Sequence, residues 1–162
     1  MVAPPGTKIV ATNRRARRDY ELGAVIECGL VLKGSEVKSL RESKVQLADA
    51  YARIENGEMW LLGLHIAPYS HGQGVMGHEP DRRRKLLLHR SEIQRIRSKV
   101  DQDRLTLVPL SLYFKNGRAK VEIALGKGRR TVDRREEIAR RDADREAARA
   151  MARSRRRAHD GD

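Results

Sequence analysis

The stretch DAYARIENGEMWLLGLHIAPY, residues 49–69, determines the expected fold. Its Asn56-Gly57 pair stands between two extended runs, and this dipeptide is the strongest short-range signal for a tight β-hairpin. Apolar residues alternate on both sides of the turn, namely Ala50, Ala52 and Ile54 before it and Trp60, Leu62, Leu64 and Ile66 after it. The alternation predicts a hairpin whose apolar face, including Trp60, packs on a core.

A second hairpin is predicted in LTLVPLSLYFKNGRAKVEIAL, residues 105–125, around Asn116-Gly117. Its second strand places Val121, Ile123 and Leu125 on one face. Two further extended runs, YELGAVIECGLVL (20–32) and RKLLLH (84–89), predict strands. Residues 71–81, HGQGVMGHEPD, are glycine-rich and predict a mobile loop.

Two helices are predicted between these strands. In residues 89–102, Ile93, Ile96 and Val100 recur at helical spacing, with Ser91 as the expected N-cap. A shorter helix begins at Gly34-Ser35, with Ser35 as cap and with Val37 and Leu40 facing inward. Many short antiparallel strands, about six in all, predict a mainly β fold closed into a small barrel, since closure removes exposed strand edges.

The C-terminal segment differs from this body in charge and in apolar content. The chain has a formal net charge of +13, and residues 127–157 hold 13 Lys and Arg against 6 Asp and Glu. Residues 129–162 favour helix locally but have almost no apolar face. We therefore expect two parts: a barrel domain at 1–128, and a basic tail at 129–162 that is disordered alone and helical when bound.

The composition excludes several classes of protein. A single cysteine, Cys28, permits no internal disulfide, and the chain has neither a signal-like apolar core nor a run of about 18 apolar residues. We expect a cytoplasmic protein that does not enter a membrane. His71, His78 and Glu79 lack metal-site spacing, and GKGRR (126–130) lacks that of a phosphate loop and predicts a flexible exit from the last strand. No catalytic constellation is present, so we expect no enzyme, cofactor or metal.

The basic balance points to a polyanion, and nucleic acid is the leading partner class. Only six aromatic residues occur, so base stacking is not expected to dominate. Contacts to RNA phosphates are predicted for Arg14, Arg15, Arg17, Arg18, the run Arg82–Lys85, Arg118 and Lys120. Each run taken alone is equally compatible with a solvated surface. A general RNA-binding or ribosomal protein and an RNA-processing enzyme stay open as alternatives.

Six blocks of sequence resemble one known family. NRRARRDY, GSEVKSLRESKV, DAYARIENGEMWLLGLHIAPY, RRKLLLHRSEI, LTLVPLSLYFKNGRAKVEIALGKG and DRRE occur in the order and spacing of the small protein B family of SsrA-binding proteins. The resemblance runs from about Lys8 to Arg157. It implies an OB-like barrel that binds the tRNA-like domain of transfer-messenger RNA and delivers it to stalled ribosomes for trans-translation.

The resemblance also implies partners and residue roles. Implied partners are transfer-messenger RNA (tmRNA), the small-subunit rRNA of a stalled ribosome and elongation factor Tu, and we expect a monomer. The tail would occupy the empty messenger channel. By position, the RNA-binding residues would be Asn13, Arg15, Glu27, Leu87 and Lys120, and the ribosome-contacting residues Gly128, Asp133, Arg134, Arg135 and Met151.

The chain departs from the family's pattern at the start of the tail. Val132 stands where the family usually has Tyr or His, so stacking on ribosomal RNA is not expected at this position. Arg134 replaces a lysine, which keeps the charge but presents a planar, bidentate fork.

Overall fold

The computed structural model describes residues 5–69 and 77–159, except for the side chains of residues 130–134. The chain divides into two compact units, Met1–Lys127 and Gly128–Asp162. The predicted loop at 71–81 falls mostly outside the described residues. The assignment of separate tasks to residues 1–128 and 129–162 stays a prediction.

The first unit is mainly β. Its strands are β1 (Thr7–Thr12), β2 (Tyr20–Leu30), β3 (Val45–Gln46), β4 (Tyr51–Glu55), β5 (Glu58–Leu62), β6 (His65–Ile66), β7 (Arg84–Leu87), β8 (Thr106–Lys115) and β9 (Arg118–Gly128). The helices are α1 (Ala16–Asp19), α2 (Gly34–Arg41), α3 (Arg90–Asp103) and, in the second unit, α4 (Arg129–His159).

Six strands close into a ring. Strands β8, β4, β5, β7, β2 and β9 are hydrogen-bonded in that order, and β9 pairs again with β8. Strand β9 occupies one edge of β8 along residues 106–115. The other edge is shared, because β4 meets it at Leu107 and β1 pairs with residues 111–115. The predicted closed barrel is confirmed; β1 and the short β3–β6 pair were not expected.

Both predicted hairpins are present, and their turns have the backbone that Asn-Gly favours. The φ angles are 52° at Asn56 and 75° at Gly57, and 50° at Asn116 and 79° at Gly117. Positive φ at both central residues defines the type I′ turn, whose twist matches that of the flanking strands. These two turns set the register of β4 with β5 and of β8 with β9.

The interior of the ring is apolar. The inward face of β9 follows the predicted alternation, whereas the inward positions of β8 change phase between Leu107 and Leu112, where its register with β9 shifts. The helices contribute Leu40 from α2 and Ile96 from α3. The deepest apolar side chains, each with no exposed surface, include Leu61, Leu64, Ile66, Leu112, Val121 and Ile123. The predicted inward faces of β9, α2 and α3 are confirmed.

The prediction of which face of β5 is buried is wrong. Met59 and Leu61 point into the core, whereas Trp60 and Leu62 are half-buried on the outside. Gly63 has a φ of 73° and lies against the carbonyl oxygen of Asp49. This left-handed residue shifts the alternation by one, so the inward positions continue at Leu64 and Ile66.

The predicted helix caps are also wrong. Helix α3 follows His89 as N-cap, so Ser91 lies inside the first turn. Helix α2 follows Lys33, whose N–H donates to Glu36 Oε1 at 2.8 Å. Ser35 instead bonds the ring of His78, with 2.8 Å between Oγ and Nδ1. Neither serine is the cap, because the chain enters each helix two residues earlier than the capping pattern suggests.

The last strand continues directly into the second unit. Strand β9 runs to Gly128 and α4 begins at Arg129, so residues 126–130 belong to regular secondary structure; the expectation of a flexible exit stays a prediction. Every described side chain of residues 135–159 is exposed. The expectation that this tail is disordered when free stays a prediction.

Candidate nucleic-acid interface

Glu27 lies in the middle of β2, and its side chain is 38% exposed. The hydroxyl of Tyr113 donates to Glu27 Oε2, and Lys115 Nζ lies 3.4 Å from Oε1. The pKa of Glu27 is below its ordinary value because the Tyr113 hydroxyl bonds the carboxylate, and Lys115 and Lys120 add positive charge, against the opposing effect of burial. Burial and the bond to Glu27 raise the pKa of Tyr113. The result is an oriented, ionised carboxylate that keeps lone pairs open to solvent.

Leu87 and Lys120 line one shallow groove. Leu87 is 54% exposed, which is unusual for a large apolar side chain that lies at a strand end. The groove walls also include Gly29, Val37 and Arg118. Gly29 pairs with Leu87, and a Cβ at position 29 would lie 3.2 Å from that of Leu87. Glycine therefore lets the two strands present an open apolar floor beside two cations.

The structure connects Glu27 with this groove through β9. Lys120 is directly opposite Tyr113 in the β8–β9 register, and its charge acts on Glu27. Three of the five predicted RNA-binding residues, Glu27, Leu87 and Lys120, thus lie in one neighbourhood. We name this surface the β2–β9 face. An ionised acceptor, a lysine and an exposed apolar floor can together contact a base or ribose, a phosphate and a sugar face.

Asn13 and Arg15 lie in a different depression. Asn13 is 8% exposed; its Nδ2 donates to the carbonyl of Pro109 at 3.0 Å, and its Oδ1 accepts from the N–H of Arg15 at 3.2 Å. Both functional groups of the Asn13 side chain are engaged within the protein. Asn13 fixes the turn that leads into α1, and the exposed Arg15 beside it is the accessible member of this pair.

The run Arg82–Lys85 is not the free phosphate-binding patch that its sequence suggested. Arg84 is fully buried, and its Nε donates to Glu36 Oε2 at 2.7 Å. Arg83 Nη1 donates to Glu55 at 3.0 Å and its guanidinium lies 4.2 Å from the centre of the Trp60 ring. Lys85 Nζ lies 2.9 Å from Glu58 Oε1. The prediction is wrong for Arg84, and the other cations of the run have partners within the protein.

Arg84 joins segments that are far apart in sequence. It donates to the carbonyl oxygens of Leu64 and Pro80, the latter at 3.0 Å, in addition to Glu36. Burial raises the pKa of Glu36, but hydrogen bonds from Arg82, the Lys33 N–H and Arg84 outweigh burial and hold that pKa below its ordinary value. Glu36 and Arg84 therefore stay charged as a buried pair that ties α2 and β7 together.

The predicted tail residues fall in or beside α4. Gly128 ends β9, Arg135 is exposed and Met151 is 66% exposed. The side chains of Asp133 and Arg134, like that of Val132, lie outside the described residues. The roles given to these residues, and to the five on the barrel, stay predictions.

Two members of the site were not found from sequence. Tyr113 orients Glu27, and Gly29 opens the floor beside Leu87. The alternation of β8 places Tyr113 between apolar neighbours, yet nothing in the pattern indicates a partner 86 residues away. The glycine in an apolar strand was a usable signal, since it marks close approach of another chain segment.

Residues 5–69 and 77–159 contain no group of three or more His, Cys, Asp or Glu that could hold a metal ion. None of their helices is both long and apolar enough to span a membrane. Cys28 is buried, and burial raises the pKa of its thiol to about 12, so the thiol is protonated at neutral pH.

A small closed barrel with a basic, partly apolar groove is typical of proteins that bind nucleic acid. A family model described as SmpB protein matches residues 10–153. The SsrA-binding protein of Solidesulfovibrio magneticus is 54% identical over 148 residues, which cover 91% of this chain and 96% of that protein. The SsrA-binding protein of Nocardia farcinica is 52% identical over 148 residues, covering 91% and 92%.

A solved structure is similar as well. It is described as "tmRNA-SmpB: a journey to the center of the bacterial ribosome", and it shares 50% sequence identity and a TM-score of 0.60 over 73% of this chain and 82% of that one. The chain belongs to the SmpB protein family. The resemblance inferred from the six sequence blocks is thereby confirmed.

Proposed function

We propose that this protein binds the tRNA-like domain of transfer-messenger RNA and delivers it to stalled ribosomes for trans-translation. The single observation that carries the proposal is the β2–β9 face, where an oriented carboxylate, a lysine and an exposed leucine converge. Relatives named SsrA-binding protein and the tmRNA–SmpB structure support the identity of the RNA. No catalytic step is part of this role, which is that of an RNA-binding adaptor.

The face binds RNA through three kinds of contact. Lys120 neutralises a phosphate, which releases counterions and supplies salt-dependent affinity. Glu27 accepts hydrogen bonds from a base amino group or a 2′-hydroxyl, which gives selectivity. Leu87 covers the apolar face of a ribose or base. Asn13 supports this function indirectly, by holding the turn that presents Arg15.

The two parts of the chain have separate tasks in this proposal. Residues 1–128 bind the RNA, and residues 129–162 enter the empty messenger channel and contact small-subunit rRNA. Elongation factor Tu is a further partner in the delivery complex, and the protein acts as a monomer in the cytoplasm. The contrast between the closed apolar core of the barrel and the exposed side chains of residues 135–159 supports this assignment.

The test compares binding of the tRNA-like RNA with binding of an unrelated hairpin of equal length. Lys120→Ala should weaken binding to both and reduce the slope of log affinity against log salt by about 1. Glu27→Ala should weaken binding to the tRNA-like RNA only, by at least about tenfold, because a hydrogen bond to a charged group is worth about 1.5–3 kcal/mol. Lys99→Ala, an exposed lysine on α3, is the matched control and should match wild type.

Two results would count against the proposal. Removing an acid near RNA increases general electrostatic attraction, so tighter binding by Glu27→Ala would show that Glu27 makes no specific contact. Equal affinity of the wild-type protein for the two RNAs would instead favour a general RNA-binding protein.

A further inference from the structure

The edge of β2 that faces β7 is paired over only part of its length. Pairing with β7 is limited to Gly29 and Leu30, followed by a bond of 3.0 Å from the N–H of Val31 to a carbonyl oxygen of β7. The chain then leaves β7 and enters α3, so β7 extends no further along β2. Among the described residues, no strand pairs with residues 21–28 on this side, which we name the open edge of β2.

The alternation of β2 shows which backbone groups face the open edge. The N–H and C=O groups of one residue point to the same side of a strand, and successive residues point to opposite sides. Val31 bonds β7 through its N–H, while Cys28 and Leu30 keep the inward phase of side chains. The odd-numbered residues Gly23 and Val25 therefore direct their N–H and C=O groups to the open edge, where unpaired backbone groups can bind a further strand.

A groove of about 300 Å³ lies between this edge and α3. Its floor is apolar and consists of Ala24 and Ile26 from β2, Leu125 from β9 and Ile96 from α3. Ala24 is exposed although it has the inward phase of its strand. The inner side of β2 is therefore accessible at the point where its backbone groups are unpaired.

The wall of the groove on α3 is charged. Glu92, Arg95 and Lys99 line it at helical spacing, and they span about 10 Å along the helix axis, the length of about three extended residues. Arg95 and Lys99 are exposed, and neither makes an ion pair or a side-chain hydrogen bond with another described residue. By contrast, Arg97 on the same helix lies 3.9 Å from Asp101. The groove thus combines two unpaired cations with an apolar floor.

We propose that the open edge of β2 is a docking site for an extended, acidic segment of another protein, which adds as a strand beside Val25 and places one side chain in the groove. Main-chain hydrogen bonds to Gly23 and Val25 supply affinity, and the groove selects the inserted side chain. Acidic neighbours of that side chain are attracted by Arg95 and Lys99. The side chain of Val25 is 51% exposed and offers the added strand an apolar cross-strand contact.

Other occupants fit this edge less well. A strand edge alternates N–H donors with carbonyl acceptors, whereas the phosphates of RNA present acceptors only, and the floor of the groove is apolar. A second copy of this chain is disfavoured because each copy has a formal net charge of +13. An acidic polypeptide matches both the alternating backbone groups and the charge. This site goes beyond the proposed RNA-binding role and does not depend on it.

The test titrates the full-length protein, labelled with ¹⁵N, with a capped hexapeptide that alternates valine with glutamate. We expect amide shifts confined to the open edge and the groove, and slower hydrogen exchange at the N–H of Val25. The same peptide with every main-chain nitrogen methylated keeps its charges but donates no main-chain hydrogen bond. It should bind at least about tenfold more weakly, because the bonds to the edge of β2 are lost. This comparison leaves the protein unchanged, so it cannot be confused with misfolding.

A pair of matched variants tests the charged wall. Arg95→Gln with Lys99→Gln should bind the acidic peptide at least about threefold more weakly and with less dependence on salt. Arg90→Gln with Arg97→Gln removes the same charge from the same helix but outside the groove, and should bind like wild type. All four side chains are exposed, so both variants should keep the thermal unfolding midpoint of wild type.

Four results would overturn the proposal. Unchanged spectra at millimolar peptide would show that Arg95 and Lys99 only guard the edge against aggregation. Equal binding of the methylated peptide would show charge attraction without strand addition. Shifts at residues 22–27 caused by the tRNA-like RNA, and not by the peptide, would assign the edge to nucleic acid. A concentration-dependent dimer with shifts at the same residues would assign the edge to a second copy of the chain.

Discussion

At the residue scale, the most important group in the barrel is the buried guanidinium of Arg84, which holds separate segments of the chain together. Arg84 connects β7 to Glu36 on α2 and to the carbonyl oxygens of Leu64 and Pro80. Neither charge is exposed to water. Removal of Arg84 would leave Glu36 buried with one of its two arginine partners missing, which is more costly than the loss of one hydrogen bond.

We predict that Arg84→Met lowers the free energy of unfolding by about 3–5 kcal/mol. The replacement keeps most of the side-chain volume, so the loss reports the missing Arg84 bonds to Glu36 and to the carbonyl oxygens of Leu64 and Pro80, while Arg82 and the Lys33 N–H still donate to Glu36. Urea unfolding followed by circular dichroism measures it. The double variant with Glu36→Leu should be more stable than Arg84→Met alone, because the buried carboxylate is gone and the part-exposed Arg82 can reach water.

Arg83→Ala serves as the control for this experiment. Its guanidinium is half-exposed, so its pair with Glu55 and its contact with the Trp60 ring contribute at most about 1 kcal/mol each, and the variant should lose less stability than Arg84→Met. If Arg83→Ala and Arg84→Met cost the same, the buried pair does not have the structural importance assigned to it.

The sequence could predict that Arg84 points inward, but not which residue it would pair with. A run of four basic residues suggests a solvated surface, and composition alone cannot separate its members. Strand alternation can, because Arg84 and Leu86 share one face of β7 while Lys85 and Leu87 share the other. The partner could not be predicted, since Glu36 lies 48 residues away and only the tertiary fold brings it there.

The two Asn-Gly turns are the main constraint at the scale of the elements. Gly57 has a φ of 75°, and a Cβ added there would meet nothing within 4 Å. The free-energy cost of a side chain at position 57 therefore comes only from the left-handed backbone conformation, which disfavours every residue with a Cβ. We predict that Gly57→Ala lowers the free energy of unfolding by about 1–2 kcal/mol, measured by thermal or urea unfolding.

Gly34→Ala is the matched control. Position 34 is the first residue of α2, its φ is not in the left-handed region, and a Cβ there has open space. Alanine should leave stability unchanged or raise it by up to about 1 kcal/mol, since it favours helix and restricts the unfolded chain. Equal losses at positions 34 and 57 would contradict the argument from backbone conformation.

A left-handed glycine also explains why the buried face of β5, in the first hairpin, was predicted wrongly. Strict alternation from Trp60 to Ile66 placed Trp60 inside, but Gly63 interrupts the pleat and changes the phase. A glycine inside an apolar run is a known sign of a bulge, yet the sequence does not say which side of it keeps the original register. The side chains of Met59 and Leu61 fill the core instead.

At the scale of the whole molecule, the barrel and the tail are distinguished by what they bury. The barrel has a continuous apolar core, whereas the tail has none among its described residues. We predict that truncation after Gly128 changes barrel stability by less than about 0.5 kcal/mol and leaves affinity for transfer-messenger RNA nearly intact, because the described side chains of residues 135–159 are all exposed. The same truncation should abolish tagging of stalled chains in a reconstituted translation system.

Two results would refute this separation. Tagging at full rate by the truncated protein would show that the tail has no role on the ribosome. Loss of binding to the free RNA would show that the tail belongs to the RNA-binding surface of the barrel.

Much of the architecture, but less of the site, was predictable from the sequence. The hairpins, the inward face of β9 and the helix α3 follow from local patterns, because periodicity and turn chemistry act over a few residues. Glu27 and Leu87 were assigned only through the family resemblance. No local signal shows that Glu27 accepts a hydrogen bond from Tyr113, 86 residues further along the chain. Nor does any local signal show that Leu87, at the end of β7, is exposed.

The closure of the ring by β9 has a consequence for the synthesis of the protein. The ring cannot shut until residues 118–128 have been synthesised, since β9 alone bridges β2 and β8. A nascent chain that stops short of β9 is an open sheet with two unpaired edges, a form prone to aggregation. Closure also joins strands about a hundred residues apart, so this step is expected to be slow. This protein is proposed to act on ribosomes that hold incomplete chains, and its own barrel cannot close while its chain is incomplete.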